Sequence, residues 1–258
     1  MKIKIILTLF SLALFVQCQK NRQVVSTRTK NVQIVAENNH DLGVNMKIKL
    51  FSDSSYTFTV LEESFNYEKE EKFKGFYFLE NDTINFSPFD FKYANTDKAV
   101  IKNNFIEFID SPLRIEIQKN LFNSKPRLDF SKYENYAVFT FSPKLYNPAN
   151  YNYDPNSVKP YDLNQNDLEA LDSILKKCFS ENRVNLKAID NYVIQCIPVI
   201  NSKQEKEVWV RDYCRGSYIS KEFKYFIIRM NDGGNCNINL KVNLTKRNCF
   251  DLNIAGEA

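Results

Sequence analysis

The alternation of apolar and polar positions is cleanest near the C-terminus. In Asn237–Leu244 every second residue is apolar, so Ile238, Leu240, Val242 and Leu244 share one buried face of a strand and Asn and Lys face water. Phe250, Leu252 and Ile254 repeat the pattern after a hairpin loop at Thr245–Asn248. Upstream, Asn231-Asp232-Gly233-Gly234-Asn235 is the strongest turn signal, because glycine takes positive φ without steric cost. It predicts a turn joining an apolar strand, Phe223–Met230, to the Ile238 strand. Glu207–Cys214 and Tyr192–Ile200 supply two more strands. The second is expected at an edge or with a bulge, since Pro198 has no N–H to donate. Just before them, Leu168, Leu171, Ile174, Leu175 and Cys178 fall at helical spacing, with Asn164 or Asn166 able to cap the start. Residues 162–258 are therefore expected to lay one helix on a four- or five-stranded antiparallel sheet, an α+β unit of cystatin-like outline. An outline of that kind implies no inhibitory activity.

The first half repeats the period of two in shorter pieces. Met46–Phe51 and Tyr56–Leu61 flank Ser52–Ser55; Gly75–Leu79 and Thr83–Phe86 flank Glu80–Asp82; Ala99–Lys102 and Phe105–Ile109 flank Asn103-Asn104. Leu113, Ile115 and Ile117 make a further strand, and Tyr136–Phe141 another. Short strands at this spacing predict an antiparallel β domain over residues 31–142, as a roll, barrel or sandwich. Glu62–Lys72 reads as a charged loop or strand extension, with Glu68–Lys72 a solvated face of mixed sign. Between the halves, residues 143–161 collect proline, asparagine and tyrosine and read as a linker.

Composition agrees with a β-rich α+β protein. Hydrophobic residues make up 43%, charged residues 26% and aromatics a high 14% of 258 residues. The formal charge is +4, of which Lys2 and Lys4 belong to the leader. A mature chain near +2 gives no argument for a nucleic-acid partner. Residues 1–17 read as a signal peptide: Lys2 and Lys4 form its basic end and Ile5–Val16 a short apolar core. The core runs into Phe15-Val16-Gln17-Cys18, which looks like a bacterial lipobox with Cys18 as the lipidated residue. Residues 18–30 are then a polar tether. The expectation is an exported protein held by a lipid on the periplasmic side of the outer membrane, with a membrane partner through that anchor.

The last part of the chain also resembles a family. Lys206-Glu207-Val208-Trp209-Val210, Cys214, Asp232-Gly233-Gly234-Asn235-Cys236, Leu240–Thr245 and the ending Asp251–Ala258 look like the C-terminal part of uncharacterised exported lipoproteins of Bacteroidota. The resemblance covers residues 205–258. An aromatic pair common after Asp-Gly-Gly in that family is replaced by Asn237 and Ile238. The resemblance implies location and architecture and carries no chemistry.

Candidate chemistry is sparse. Cys178, Cys196, Cys214, Cys236 and Cys249 are candidates for disulfides in an oxidising compartment; five is odd, so at least one stays unpaired within the chain, and the connectivity is open. Their spacing fits no zinc finger or ribbon, His40 is the single histidine, and no glycine-rich phosphate loop exists, so neither a metal nor a cofactor is expected. Glu205/Glu207 and Glu62/Glu63 are acid pairs of the kind hydrolases use, but pairs near in sequence define no cleft. Trp209, Tyr151 and Tyr153 are the candidate binding surface, for protein, peptide or glycan. The competing and preferred reading of the linker tyrosines is that they pack the linker onto the two halves. Two functions are weighed: a non-catalytic binding or structural envelope module, and a carboxylate-dependent secreted hydrolase, with a protease-inhibitor-like module resting on outline alone.

Overall fold

The computed structural model describes residues 30–38, 43–122, 128–151, 153–216 and 222–256. The expected signal peptide, Cys18, the tether up to residue 29, and His40 lie outside the described residues. The first unit is a closed antiparallel barrel. Its strands are β1 (Val32–Asn38), β2 (Val44–Phe51), β3 (Ser55–Ser64), β4 (Tyr67–Glu80), β5 (Thr83–Ser87), β6 (Lys98–Lys102), β7 (Phe105–Phe108) and β8 (Arg114–Asn120). Each strand pairs with the next, and β1 pairs with β8 to close the ring. Full closure removes the open sheet edges that a roll or sandwich would leave.

Alternation decides what lies inside. Ile34, Ile48, Leu50, Phe58, Ile84 and Ile106 point inward and are fully buried. The segment between β5 and β6 folds Phe89 and Phe91 into the same core, where Phe58 meets Phe91 edge-on at 4.9 Å and Phe86 stacks on Phe89 at 5.1 Å. The interior is a packed core of rings and branched side chains. Lys47, Lys49, Lys72 and Lys74, interleaved with Thr57 and Thr59, lie on the outer wall. Apolar inside and charged outside is the reverse of a barrel embedded in lipid. Among the described residues no helix is long and apolar enough to cross a membrane.

The hairpins follow the turn residues. Asn81 and Asp82, and Asn103 and Asn104, all take positive φ, as two-residue hairpin loops require. Glu62–Lys72 extends the strands, with pairing out to Ser64 and Tyr67. Gly75 marks a close approach. A Cβ there would lie 2.7 Å from the Ser87 carbonyl oxygen and 2.9 Å from the Tyr56 ring, whose hydroxyl donates to the Pro88 carbonyl. Gly75→Ala is expected to destabilise by about 1–3 kcal/mol through overpacking, read as a lowered urea midpoint. An unchanged midpoint would mean that the barrel wall yields at this point.

The second unit is a sheet with one long helix. It contains β9 (Tyr136–Val138), the short helix α1 (Pro148–Tyr151), β10 (Lys159–Pro160), helix α2 (Gln165–Glu181), β11 (Tyr192–Ile200), β12 (Lys206–Cys214), β13 (Asn237–Asn243) and β14 (Asn248–Ile254). The order is β10-β11-β12-β13-β14, and β9 pairs with β11 in parallel. Asn164 caps α2 in a reciprocal capping box with Asp167. Leu168, Leu171, Ile174, Leu175 and Cys178 bury the predicted stripe against Ile194, Val208, Val210, Ile238, Leu240 and Val242.

Three expectations need correction. Pro198 sits in a strand paired on both sides. Even-numbered residues of β11 turn their backbone groups toward β9 and β10, as the bonds from Ile194 N to Asn135 O and from Tyr161 N to Pro198 O show. The missing N–H therefore falls opposite Tyr161, just past the two-residue β10, where the ladder ends. Tyr136–Phe141 contributes its strand to the second sheet and none to the barrel. Phe223–Met230 is no strand: it makes a short 3-10 turn at Glu222–Lys224 and then runs irregularly over the sheet. Side chains satisfy its backbone instead. Gln195 Nε2 donates to the Phe223 and Phe226 carbonyls at 2.7 Å, Gln195 Oε1 accepts from Ile228 N, and the Tyr213 hydroxyl donates to the Ile228 carbonyl.

Candidate functional site

Strand β12 sorts its side chains between two faces. Val208, Val210 and Asp212 face α2; Glu207, Trp209, Arg211 and Tyr213 face the other way. Pairing carries the Arg211 position across the sheet, with Arg211 opposite Asn239 on β13 and Asn239 opposite Asn253 on β14. Onto the β11–β12 half of this face fold residues 139–151, 153 and 223–230, burying Phe139, Phe141, Tyr146, Trp209 and Phe223. The β13–β14 half is left facing the barrel. The barrel end Glu107–Arg114 forms the opposite wall, and between the two units lies a cleft of about 1260 Å³.

The charges in this cleft are mostly matched. Glu107 meets Arg114 at 3.3 Å, Asp110 meets Lys144 at 2.7 Å, and Asp251 meets Lys241 at 3.2 Å. Lys144 and the Ser142 hydroxyl hold the Asp110 carboxyl below the usual carboxylate range. Arg211 and Arg229 also line the cleft, and neither has an acidic partner among the described residues. Arg211 lies over the Tyr151 ring at 4.5 Å and reaches one backbone oxygen, that of Ile228, at 3.5 Å. Burial raises the Tyr151 phenol, while the charges of Arg211 and Arg229 both act to lower it.

The residues singled out from sequence fall as follows. Trp209 is 2% exposed. It stacks on Tyr151 at 5.1 Å, meets Tyr153 at 4.9 Å and Phe141 at 5.4 Å, and donates from Nε1 to Glu207 at 2.8 Å. Trp209 and Tyr151 line the cleft; Tyr153 packs behind them and donates to the Tyr146 carbonyl. Glu205 is held by Lys246, Asn243 and Asn201, and Glu207 by Trp209 and Asn201, so both carboxylates are tied into a polar cluster at the sheet end. Glu62 and Glu63 lie on the long β3–β4 hairpin. Cys178 bonds to Cys249, tying the end of α2 to β14, and Cys214 bonds to Cys236 across the ends of β12 and β13. Cys196 is free and buried. Lys187 Nζ lies 3.1 Å from both sulfurs of the Cys214–Cys236 bond. Among the described residues no group of three His, Cys, Asp or Glu could hold a metal ion.

No family model, curated protein or solved structure matches the chain.

Arg211 was readable in outline: it shares parity with Trp209, so the alternation of β12 alone places both on one face. Arg229, Asn231 and the barrel wall carry no such signal, because an irregular segment and a second unit bring them in.

Asp212 is a perturbed acid outside the cleft. It is fully buried on the helix side between Ile194 and Ile238, and neither carboxylate oxygen has a hydrogen-bond partner. Desolvation raises its pKa well above 3.8, with Cys196, Tyr136 and Tyr192 as the titratable neighbours. A raised folded-state value stabilises fully below the unfolded value and is lost as pH climbs through the folded one. Asp212→Asn is thus expected to be more stable than the parent at pH 8 by at least about 1 kcal/mol, with the gain shrinking toward pH 4. Unfolding curves at the two pH values test this; equal differences at both would show that Asp212 does not titrate between them.

Proposed function

We propose that this protein is a non-catalytic binding module of the bacterial envelope, lipid-anchored through Cys18, whose ligand sits in the cleft between barrel and sheet. The anchor rests on Lys2, Lys4, the apolar run Ile5–Val16 and Cys18. The cleft reading rests on one observation above the rest. Its three carboxylates are each matched by a cation, while two lining arginines, one of them over the Tyr151 ring, have no acidic partner among the described residues. A hydrolase working through two carboxylates needs one of them protonated and poised. Among the described carboxyls, the one that burial holds well above the usual range, Asp212, lies on the far side of the sheet, so nothing specific favours the hydrolase reading. The cystatin-like outline remains a proposal for the sheet unit, as one long helix on a sheet that is antiparallel except for the parallel β9–β11 pair.

Trp209 is the single tryptophan and lines the cleft, so its fluorescence reports on occupancy. A panel of envelope oligosaccharides and peptides is expected to include at least one that shifts its emission saturably, with no turnover of that compound on prolonged incubation. No shift from any compound, or cleavage of the one that binds, would overturn the reading. The anchor is tested by intact mass after expression in a lipoprotein-processing host: a chain beginning at Cys18 with acyl groups is expected, and an unlipidated chain would contradict it.

A further inference from the structure

The cleft floor is a face of the sheet. Arg211, Asn239 and Asn253 stand in one row across β12, β13 and β14. Two interstrand steps give a polar row of about 10 Å. Arg229 and Asn231, from the irregular segment, line the same cleft, and the Tyr151 ring lies at the Arg211 end of the row.

The backbones of β12 and β13 in this floor are consumed in the sheet ladders, and the unpaired edge of β14, the last strand of the order, lies in the plane of the sheet and not on its face. An extended peptide gains most of its affinity by pairing its main chain with a free sheet edge, and a sheet face offers none. What the face offers is side chains: amides that donate and accept at once, a ring face, and two guanidinium groups. Paired donor and acceptor groups suit sugar hydroxyls, and a ring face suits a pyranose. A guanidinium fork suits a carboxylate or sulfate. With Glu107, Asp110 and Asp251 already matched, the cleft keeps two cationic groups that a neutral ligand would leave unused.

Resting on the cleft as the binding site, we propose that its ligand is an acidic oligosaccharide, with the carboxylate or sulfate held between Arg211 and Arg229 and the sugar rings laid along Asn239 and Asn253.

The test is calorimetric titration of the full chain with a galacturonate hexasaccharide, a heparin-derived hexasaccharide, maltohexaose and a hexaglutamate peptide, at low and high salt. At least one acidic saccharide is expected to bind at least tenfold more tightly than maltohexaose and to weaken with salt. Which of the two binds separates carboxylate from sulfate. Arg229→Gln, at an exposed position that leaves folding intact, and Arg211→Gln are each expected to weaken it at least tenfold. Equal binding of maltohexaose, with both variants unaffected, would overturn the acidic class and leave the cleft as a binding site. Binding of hexaglutamate alone would overturn the saccharide class. Binding of none of the four would overturn this proposal, and a silent Trp209 across the wider panel would take the cleft reading with it.

Discussion

Replacing Arg114 with leucine is expected to destabilise the protein by about 3–5 kcal/mol, an apparent Tm loss of roughly 10 °C for a chain of this size. Arg114 lies on β8 and is 4% exposed. Its guanidinium sits between the rings of Phe105, on the barrel at 3.7 Å, and Phe139, on the sheet side at 4.3 Å. Nη1 donates to the Val138 carbonyl at 2.7 Å. Its contact with Glu107, at 3.3 Å, is a charge contact without hydrogen-bond geometry, and the remaining Glu107 oxygen accepts from the Thr140 hydroxyl at 2.6 Å. The side chain therefore joins the two units through stacking, a backbone bond and an ion pair at once. Removing it leaves Glu107 as a buried carboxylate with one hydroxyl for company, and that desolvation dominates the loss. The double change Arg114→Leu with Glu107→Leu is expected to recover part of it, since no charge is left stranded. Chemical unfolding of the two variants tests this. A loss below about 1 kcal/mol in the single variant would mean that the junction is held by its other contacts, such as Tyr225 to Glu116 at 3.0 Å and Ser142 to Asp110 at 2.7 Å.

The second large effect concerns Cys178–Cys249. The bond closes a sequence separation of 71 residues, and chain-entropy arguments assign a loop of that size about 4 kcal/mol. The Cys178→Ala, Cys249→Ala protein is expected to lose about that much in guanidinium unfolding. Cys214–Cys236 spans only 22 residues, and its removal should cost less, about 3 kcal/mol. The two bonds should also open in a set order. Cys178 is buried, whereas the Cys214–Cys236 sulfurs face Lys187, whose ammonium favours the thiolates that reduction would produce. Mild reductant followed by alkylation should label Cys214 and Cys236 first and leave Cys196 unlabelled in the native protein. Simultaneous labelling of both pairs would contradict this order.

Much of the architecture was legible because it is local. The unbroken alternation of Asn237–Leu244 specified β13 and its buried face, the Leu168–Cys178 stripe specified α2, and Asn103-Asn104 specified a tight hairpin. What failed was not local. Phe223–Met230 has a strand's composition, yet β12 pairs instead with β13, and Gln195, Tyr213 and Asn237 take up the segment's backbone groups. No propensity in residues 223–230 could announce partners that distant. Tyr136–Phe141 was readable as a strand, but its assignment to the second sheet depends on Ile194–Cys196 offering a free side. Closure of the barrel depends on β1 meeting β8, a contact that no pattern within either strand encodes.

The candidate site divides in the same way. Trp209 and Tyr151 were singled out for their chemistry, and both line the cleft, though as stacked and largely covered rings. The groups that give the cleft its unmatched charge are Arg211 and Arg229. One arginine in a strand and one in a loop form no motif until the fold brings them together.

The cleft between barrel and sheet is the proposed seat of the ligand. Hydrogen–deuterium exchange of the full chain, with and without the acidic hexasaccharide that binds most tightly, tests it directly. Slowed exchange is expected in residues 222–231 and at the β12–β14 face, with the β3–β4 hairpin unchanged. Protection confined to that hairpin or elsewhere on the barrel's outer wall, with residues 222–231 unaffected, would place the ligand outside the cleft and contradict the account.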